Sequence, residues 1–233
     1  MCGRKNTSQS ASVRATRVRA ALCKKLVANP VYDERKRSEF MRACILFASP
    51  RGKDSNTAQL VDIFLRVWRA AGHEAEVFSL YDLDIAPCRA CRGCQADHAA
   101  PNCIIDDGMT TIFDAALCSD LLLFATPIYS WYCTAPMKAA MDRMVYALCK
   151  FYGAERGPSL MEGKAVCALT TCGYRPEHGS DLFDEGLRRW CKHARIRYLG
   201  LHAARHLGYD TGFLTPEIID SIQHFAENTL QSI

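Results

Sequence analysis

From residue 41 onward, the chain alternates between short continuous apolar runs and longer segments with apolar residues at helical spacing. The continuous runs, such as residues 121–125, predict strands that are covered on both faces, as in a parallel sheet. Residues 74–80 alternate instead, and Ala75, Val77 and either Phe78 or Leu80 are predicted to face inward. In all, strands are predicted at residues 44–48, 74–80, 121–125, 165–170 and 198–203, and helical segments around residues 60–68, 109–117, 137–148, 181–194 and 216–230.

Strands that alternate with helices predict an α/β fold, in which a doubly wound five-stranded parallel sheet carries helices on both faces. In such a sheet a ligand binds outside the carboxyl ends of the strands, where the strand order reverses. Within the helix at 137–148 the methionine-rich apolar stripe predicts core packing, and Lys138, Asp142 and Arg143 lie away from that stripe. The residues that follow the strands are therefore the first candidates for a binding site.

The loop after the first strand, residues 49–57, reads SPRGKDSNT and is the first candidate. Hydroxyl groups and backbone N–H groups at a helix start hold a phosphate well, and Arg51 adds a forked, charged contact. Gly52 is the only glycine in the loop, so neither the dinucleotide pattern G-x-G-x-x-G nor the P-loop pattern is present. The loop predicts either a site for one phosphate or an ordinary helix N-cap. The phosphate-binding candidates are Ser49, Arg51, Ser55, Asn56 and Thr57.

Two further strand ends carry polar and aromatic clusters, TPIYSWY at residues 126–132 and TCGYRP at residues 171–176. Aromatic rings favour offset stacking on flat π-systems. Cys172 is interpreted as a reactive thiol or, preferably, as a small residue that leaves room for a ligand. Because the three strand ends should converge, they predict one ligand with a phosphate and a flat ring system, and flavin mononucleotide (FMN) meets these requirements. The candidates at the later strand ends are Pro127, Tyr129, Trp131, Thr171, Cys172, Gly173 and Tyr174.

Charge separates the first 40 residues from the rest of the 233-residue chain. The net charge is +4, but residues 1–40 hold ten Lys or Arg against three acids, so the remainder is slightly acidic. Residues 1–40 are predicted to be a basic, mobile extension, with an organelle transit peptide and an over-long gene start as alternatives, and residues 41–233 one domain. An acidic domain argues against a nucleic-acid partner, and no apolar run is long enough to span a membrane.

The thirteen cysteines do not resemble a disulfide framework. Most sit singly in apolar runs, where a free cysteine behaves as a small hydrophobe, and this usage predicts a reducing, cytoplasmic location. Only Cys88, Cys91, Cys94 and Cys103 form a spaced set, within a long irregular segment at residues 81–107 whose length suggests a function. Three interpretations stay open: a 4Fe–4S cluster on the four thiolates, a zinc site in which His98 is an alternative to Cys94, or reduced cysteines without a metal.

Three segments together resemble the flavodoxin-like group that contains the NADPH-dependent FMN reductases and the iron–sulfur flavoproteins. They are ASPRGKDSNT, the cysteine-bearing PCRACRGCQADHAAPNCIIDDGM and ATPIYSWYCTAPMKAAMDRM, and the resemblance covers nearly everything from Met41 onward. It implies a flavodoxin-like sheet of order 2-1-3-4-5, FMN phosphate bound by Ser49, Arg51 and the Ser55–Thr57 stretch, and dimers or tetramers. It also implies that the flavin ring lies along Pro127, Ile128, Tyr129, Ser130 and Trp131.

The resemblance further implies an FMN-dependent NAD(P)H oxidoreductase that passes electrons to a small-molecule acceptor such as a quinone, free flavin, a nitro compound or a metal ion. No catalytic side chain is then expected, because the flavin carries the chemistry. The alternative is an iron–sulfur flavoprotein electron carrier that is served by a ferredoxin-like protein, and a third interpretation is a flavin-binding redox sensor. The eight residues between Cys94 and Cys103 exceed the usual gap in the iron–sulfur group, so the cysteine set stays open.

Overall fold

Residues 40–208 and 211–233 are described in a computed structural model of the chain. Within this part, Met41–Ile233 forms one compact unit. The predicted basic extension at residues 1–40 lies outside the described residues except for Phe40, and it stays a prediction.

The secondary structure follows the predicted alternation. The strands are β1 (Arg42–Phe47), β2 (Glu74–Ser79), β3 (Leu121–Pro127), β4 (Ala165–Cys172) and β5 (Arg197–Arg205). The helices are α1 (Asn56–Ala70), α2 (Met109–Cys118), α3 (Ala135–Leu148), the single turn α4 (Pro176–Gly179), α5 (Asp181–Ala194) and α6 (Pro216–Ser232). Short 3-10 turns lie at Gly52–Asp54 and Gly93–Ala96.

All five strands run parallel in the order β2-β1-β3-β4-β5, which confirms the predicted flavodoxin-like sheet. β3 and β4 are buried along their whole lengths, as their continuous apolar runs predict. The chain leaves β1 toward β2 on one side and returns to β3 on the other. The strand order therefore reverses between β1 and β3, and the crevice of such a sheet lies at their carboxyl ends.

Two helical layers cover the sheet. Phe64 and Trp68 of α1, with Ile222 of α6, pack on one face against alternate strand residues such as Ile45. The opposite layer is α2, α3 and α5, which packs against the other alternate positions, such as Phe124. Because successive strand residues point to opposite faces, one apolar run supplies both cores.

One inward-facing prediction for β2 is wrong. Val77 is 42% exposed, although Ala75 and Phe78 are half-buried and Leu80 is buried. β2 is an edge strand that pairs only with β1 in the described sheet. Helices cover an edge strand only in part, so the alternating apolar residues of β2 do not all face the core.

Three cysteines in apolar runs match the predicted small-hydrophobe role. Cys44, Cys149 and Cys167 are buried, free thiols, and burial raises the pKa of each above the ordinary thiol value. The prediction is wrong for Cys118, which lies in a similar apolar run at the end of α2 but is disulfide-bonded. Among the helices of the described residues, none has the length and apolar character needed to cross a membrane.

Replacing Phe124 by Ala tests the packing of the central strand. The ring is fully buried and meets the Trp190 ring edge-on at 5.5 Å, so its removal should lower the free energy of unfolding by about 3–5 kcal/mol. Val77→Ala, on the exposed edge strand, is the control and should cost about 0.5 kcal/mol or less. Urea unfolding followed by circular dichroism measures both, and equal losses would contradict the assignment of the core.

Candidate functional site

The loop after β1 turns sharply and then starts α1. The Gly52 N–H donates to the Ser49 carbonyl at 3.0 Å, with Gly52 in the left-handed region at a φ of 54°. The Ser55 hydroxyl accepts the Ala58 N–H at 3.1 Å and donates to the Gly52 carbonyl at 2.7 Å. Ser55 is thus the N-cap of α1, which confirms the cap interpretation of this loop.

A cap does not compete with an anion site here. The first N–H groups of a helix have no partner inside the helix, and Ser55 satisfies those of Ala58 and Gln59. The N–H groups of Asn56 and Thr57 come before these, at the open N-terminal end of α1, where backbone N–H groups favour an anion. Arg51 is exposed beside them, whereas Ser49 is buried.

Three hydrogen bonds join the loops after β1, β3 and β4. The hydroxyls of Thr57 and Thr171 lie 2.9 Å apart in a buried contact across 114 positions of sequence. The Ile128 N–H donates to the Thr171 carbonyl at 2.8 Å. The Thr134 hydroxyl donates to the Ala48 carbonyl at 3.0 Å, which ties the start of α3 to the end of β1. The three predicted strand ends therefore form one continuous edge.

The loop after β3 contains a two-residue turn of unusual conformation. Tyr129 and Tyr132 exchange backbone hydrogen bonds at 2.9 and 3.1 Å, and the two central residues, Ser130 and Trp131, have φ values of 51° and 62°. This left-handed conformation costs roughly 1–2 kcal/mol for a residue other than glycine. Strain of this kind persists where the surroundings enforce it, often at functional sites.

Aromatic rings project from this turn into solvent. The Trp131 ring stacks on Tyr174, from the segment after β4, with ring centroids 5.8 Å apart and an interplanar angle of 16°. Trp131 is 46% exposed, Tyr129 52% and Tyr174 62%. Flat surfaces of this kind are available for stacking on a planar ligand.

The same turn packs against α5 through Tyr132. A Cβ atom at Gly186 would lie 2.5 Å from the Tyr132 hydroxyl, so only glycine fits there without displacing the ring. The Tyr132 ring also meets Phe183 edge-on at 5.3 Å. Gly186 thus allows α5 to approach the turn closely.

Cys172, at the end of β4, is buried and donates its thiol to the Tyr174 carbonyl at 3.3 Å. Burial raises the pKa of this thiol above its ordinary value, so the neutral thiol predominates at neutral pH. The interpretation of Cys172 as a small residue beside the ligand agrees with this environment better than the reactive-thiol interpretation.

The structure brings all the predicted flavin-site residues to the edge at the carboxyl ends of β1, β3 and β4. Ser49, Ser55, Thr57, Pro127, Thr171 and Cys172 are buried, Asn56 and Ile128 are half-buried, and Arg51, Tyr129, Ser130, Trp131 and Gly173 are exposed. Sequence reasoning missed Thr126 and Thr134, whose buried hydroxyls connect the loops. The hydroxyl directly before the Ala135-Pro136 helix start is the one sequence signal that points to Thr134.

The predicted cysteine set lies elsewhere, over the outer face of α3. Cys88, Cys91, Cys94 and Cys103 all line one small cavity of about 20 Å³, together with Arg143 and Tyr146. Within the described residues, no group of three or more His, Cys, Asp or Glu side chains is arranged to hold a metal ion. His98 lines a separate open groove of about 860 Å³ with Tyr152 and Glu155, so the zinc set that includes His98 is not assembled.

Hydrogen bonds from Arg143 hold both ends of the cysteine segment, residues 86–107, against α3. Its guanidinium donates to the Ala86 carbonyl at 2.9 Å, the Ile105 carbonyl at 3.2 Å and the Asp107 carboxylate at 2.8 Å. Arg143 lies away from the apolar stripe, as predicted, yet only 1% of its side chain is exposed. The cysteine segment covers the face of α3 that the sheet leaves open.

Hydrogen bonds of Gln95 and Lys150 hold the middle of the segment against the C-terminal end of α3. The Gln95 amide donates to the carbonyls of Tyr146 and Cys149 at 2.5 and 3.2 Å, and it accepts the Tyr152 N–H at 3.0 Å. The fully buried Lys150 ammonium donates to the carbonyls of Cys94 and Pro101. Burial lowers the pKa of Lys150 and raises that of the Cys94 thiol. Buried hydrogen bonds therefore hold the segment against α3.

Asp107→Asn tests the Arg143 anchor. Burial would raise the pKa of Asp107, but the hydrogen bonds from Arg143, Ala86 and Met109 outweigh it and hold the pKa below the ordinary value. Such a carboxylate stabilises the fold above its unfolded pKa of about 3.9, and this contribution is lost as the pH falls through the lower folded value. At pH 7 the variant leaves Arg143 buried without a charge partner and should lose about 3–5 kcal/mol.

The loss should shrink as the pH falls below about 4, because Asp107 in the unfolded state takes up a proton there, whereas the native carboxylate keeps its charge until the pH reaches its lower folded pKa. Asp142→Asn is the matched control, since Asp142 pairs with Lys138 on the surface, and it should cost about 1 kcal/mol or less. Urea unfolding at several pH values measures both variants. A difference between Asp107→Asn and wild type that stays constant from pH 7 to pH 3 would contradict the charge-pair explanation.

Comparison with known proteins places the chain in a family. The chain is 30% identical over 135 residues to an iron-sulfur flavoprotein of Methanosarcina thermophila, a match that covers 58% of this chain and 65% of that protein. It is 28% identical over 142 residues to an FMN-dependent NADH:quinone oxidoreductase 2 of Pseudomonas fluorescens, covering 57% of this chain and 70% of the relative.

A solved structure shows the same fold. The NAD(P)H:quinone oxidoreductase from Methanothermobacter marburgensis superposes with a TM-score of 0.61 at 16% identity, over 82% of this chain and 95% of that one. The family model described as NADPH-dependent FMN reductase matches residues 41–204, which is most of the chain and includes all three strand ends. The chain therefore belongs to the NADPH-dependent FMN reductase family.

Proposed function

We propose that this protein is an FMN-dependent oxidoreductase that takes a hydride from NAD(P)H and passes electrons to a small-molecule acceptor such as a quinone or flavin. The observation that carries the proposal is the joining of three strand ends into one edge by the Thr57–Thr171, Ile128–Thr171 and Thr134–Ala48 hydrogen bonds. Membership of the FMN reductase family supports it.

The phosphate of FMN would bind at the N-terminal end of α1. Three features of this end suit a phosphate: the N–H groups of Asn56 and Thr57, the hydroxyl of Ser49, and the exposed cation of Arg51. The carboxylate of Asp54 is exposed, so it can turn toward solvent.

The flavin ring would lie along the loop after β3. Pro127 is buried at the edge, and the Tyr129–Tyr132 turn is fixed by its two backbone hydrogen bonds. Bound FMN supplies the hydride and electron chemistry, so the chain has to bind and orient the ring and exclude water from it. Cys172 and Gly173 are proposed to lie against the ring without taking part in a proton transfer.

An exposed apolar patch at this edge favours assembly of copies of the chain. Tyr129, Trp131 and Tyr174 are each 46% or more exposed, and the Trp131 and Tyr174 rings stack on each other. Contiguous exposed apolar surface marks interaction sites. We propose a homodimer or homotetramer with this patch in an interface.

The free, buried thiols suit a reducing cytoplasm.

Arg51→Ala tests the phosphate assignment. Loss of a charged hydrogen bond to the phosphate should weaken FMN binding by about 1.5–3 kcal/mol, which is a rise in Kd of roughly 10- to 150-fold. Lys53→Ala is the matched control, because Lys53 is an exposed cation in the same turn whose loss should leave the Kd within about threefold. Flavin fluorescence titration gives both constants, and an unchanged Kd for Arg51→Ala rules the assignment out.

Anaerobic mixing tests the electron donor. Flavin-loaded protein should lose its yellow absorbance promptly on addition of NADPH or NADH, and a quinone should restore it. Bleaching that occurs only with a reduced electron-transfer protein would refute the oxidoreductase proposal in favour of an electron carrier.

A second candidate function, an iron–sulfur flavoprotein, is favoured by one observation. All four cysteines of the spaced set line a single cavity, and four thiolates are the usual donors for a 4Fe–4S cluster. The chemistry of these four side chains therefore suits a 4Fe–4S cluster. A volume of about 20 Å³ holds little more than a water molecule, so the exposed Cys91 side of the segment would have to move outward to admit a cluster. Iron and acid-labile sulfide analysis of anaerobically purified protein tests this candidate.

A further inference from the structure

Three residues of the cysteine segment have a left-handed backbone, although none of them is a glycine. Ala90, Arg92 and Asn102 have φ values of 52°, 59° and 50°. This conformation is unfavourable for a residue with a side chain, and it is found mainly where the surroundings enforce it, often at functional sites. Ala90 and Arg92 flank Cys91, and Asn102 precedes Cys103. The strained positions therefore single out two of the four cysteines.

Gly93 lets the chain near these two cysteines come close together. A Cβ atom at Gly93 would lie 2.8 Å from a methyl carbon of Ile104 and 3.9 Å from the Cys91 sulfur. Ile104 directly follows Cys103, and both cysteines line the cavity of about 20 Å³. The Cys91 thiol and the stretch that carries Cys103 therefore pack around the same glycine, where a larger residue would push them apart.

Solvent access separates this pair from Cys94. Cys91 is exposed and Cys103 is half-buried. Cys94 is buried, and its thiol donates to the Tyr146 carbonyl at 3.0 Å. Reactive cysteines are partly exposed, whereas buried structural cysteines are inert. A small molecule in solution therefore reaches Cys91 and Cys103 more readily than Cys94.

The guanidinium of Arg143 places a positive charge beside Cys103. Arg143 lines the same cavity, and only 1% of its side chain is exposed. Burial would lower the pKa of Arg143, but Asp107 and Cys103 outweigh it and hold the pKa above the ordinary value. Its Nε has no hydrogen-bond partner among the residues that the structure describes. A buried donor of this kind favours an anionic sulfur or oxygen next to it.

We propose that Cys91 and Cys103 form a redox-active dithiol whose substrate is a hydroperoxide and whose product is a disulfide. The Cys103 thiolate attacks one peroxide oxygen, the O–O bond breaks, and the other oxygen takes up a proton and leaves as water or an alcohol. Cys103 is then a sulfenic acid. The Cys91 thiol attacks its sulfur, the S–O bond breaks, and the hydroxide leaves as water with the thiol proton. The two thiols lose two electrons, and the hydroperoxide gains them.

This reaction does not depend on the proposed hydride transfer. It is an alternative to the iron–sulfur candidate, because both would use the same thiols. The geometry favours the dithiol: no three His, Cys, Asp or Glu side chains of the described ranges are arranged for a metal ion. A disulfide also needs no ligand to enter a cavity that holds about one water molecule.

Disulfide mapping tests the pair. Full-length protein, reduced and freed of reductant under anaerobic conditions, is mixed with hydrogen peroxide, and the remaining thiols are blocked with N-ethylmaleimide. Trypsin cuts after Arg89 and Arg92, and Asp-N protease cuts before Asp97, so the four cysteines of the segment lie on separate peptides for mass spectrometry. A Cys91–Cys103 disulfide that dithiothreitol reverses is the expected product.

The buried Cys44 thiol is the internal reference for the rate. The Cys91–Cys103 disulfide should form about tenfold or more faster than Cys44 is oxidised, because Cys44 is inaccessible. Oxidation of the pair no faster than that of Cys44, or a disulfide between other cysteines of the segment, overturns the proposal. Iron and acid-labile sulfide in the untreated protein overturn it as well.

Three variants assign the roles. Cys88→Ser, at a half-buried cysteine of the same segment, is the matched control and should keep the rate within about twofold. Cys91→Ser changes an exposed residue and should leave a sulfenic acid on Cys103 that dimedone traps. Cys103→Ser should form no disulfide from Cys91.

Thermal unfolding shows first whether each variant has folded. If Cys103→Ser has not, Cys91→Ser alone decides, and the absence of a dimedone adduct on Cys103 overturns the proposal. A disulfide from Cys91 in folded Cys103→Ser does the same. NADPH-dependent bleaching of the wild-type flavin is scored separately, so failure of the oxidoreductase proposal is distinguishable from failure of this one.

Discussion

The parallel direction of all five strands is the constraint on which the rest of the structure depends. Each return to the same edge of the sheet needs a crossover helix, and these helices cover both faces. The central strands must then be apolar throughout, so polar residues are confined to the points where strands end. The carboxyl ends of β1, β3 and β4 consequently place hydroxyls, N–H groups and aromatic rings from three distant stretches at one edge.

Helix α3 connects this edge to the cysteine segment because it is buried on two faces. Met137, Met141 and Met144 pack toward the sheet, while Arg143 and Ala147 are covered by the segment on the other side. A polar segment can cover a helix only if its buried groups find partners. The side chains of Arg143, Gln95 and Lys150 meet this requirement by donating hydrogen bonds to backbone carbonyls.

Periodicity in the sequence predicted the architecture because it records which residues face the sheet. Residues 181–194 were predicted as a helix and form α5 with the same bounds, whereas Val77 failed because edge strands are covered incompletely. The loop motifs located the edge of the candidate site. The burial of Arg143 and Lys150 could not be predicted, since helical spacing describes one face of α3 and says nothing about a distant segment that covers the other. The Thr57–Thr171 contact, across 114 positions, has no local signal either.

Gly186 allows α5 to pack closely against the turn that carries the aromatic rings of the site. Because Gly186 has no side chain, the Tyr132 hydroxyl occupies the space where even one methyl group would collide, and α5 and the Tyr129–Tyr132 turn are packed without a gap at this point. Close-packed elements of this kind transmit displacement instead of absorbing it. A side chain at position 186 would therefore require either the Tyr132 ring or α5 to move, and either movement would reach the turn that carries Tyr129 and Trp131.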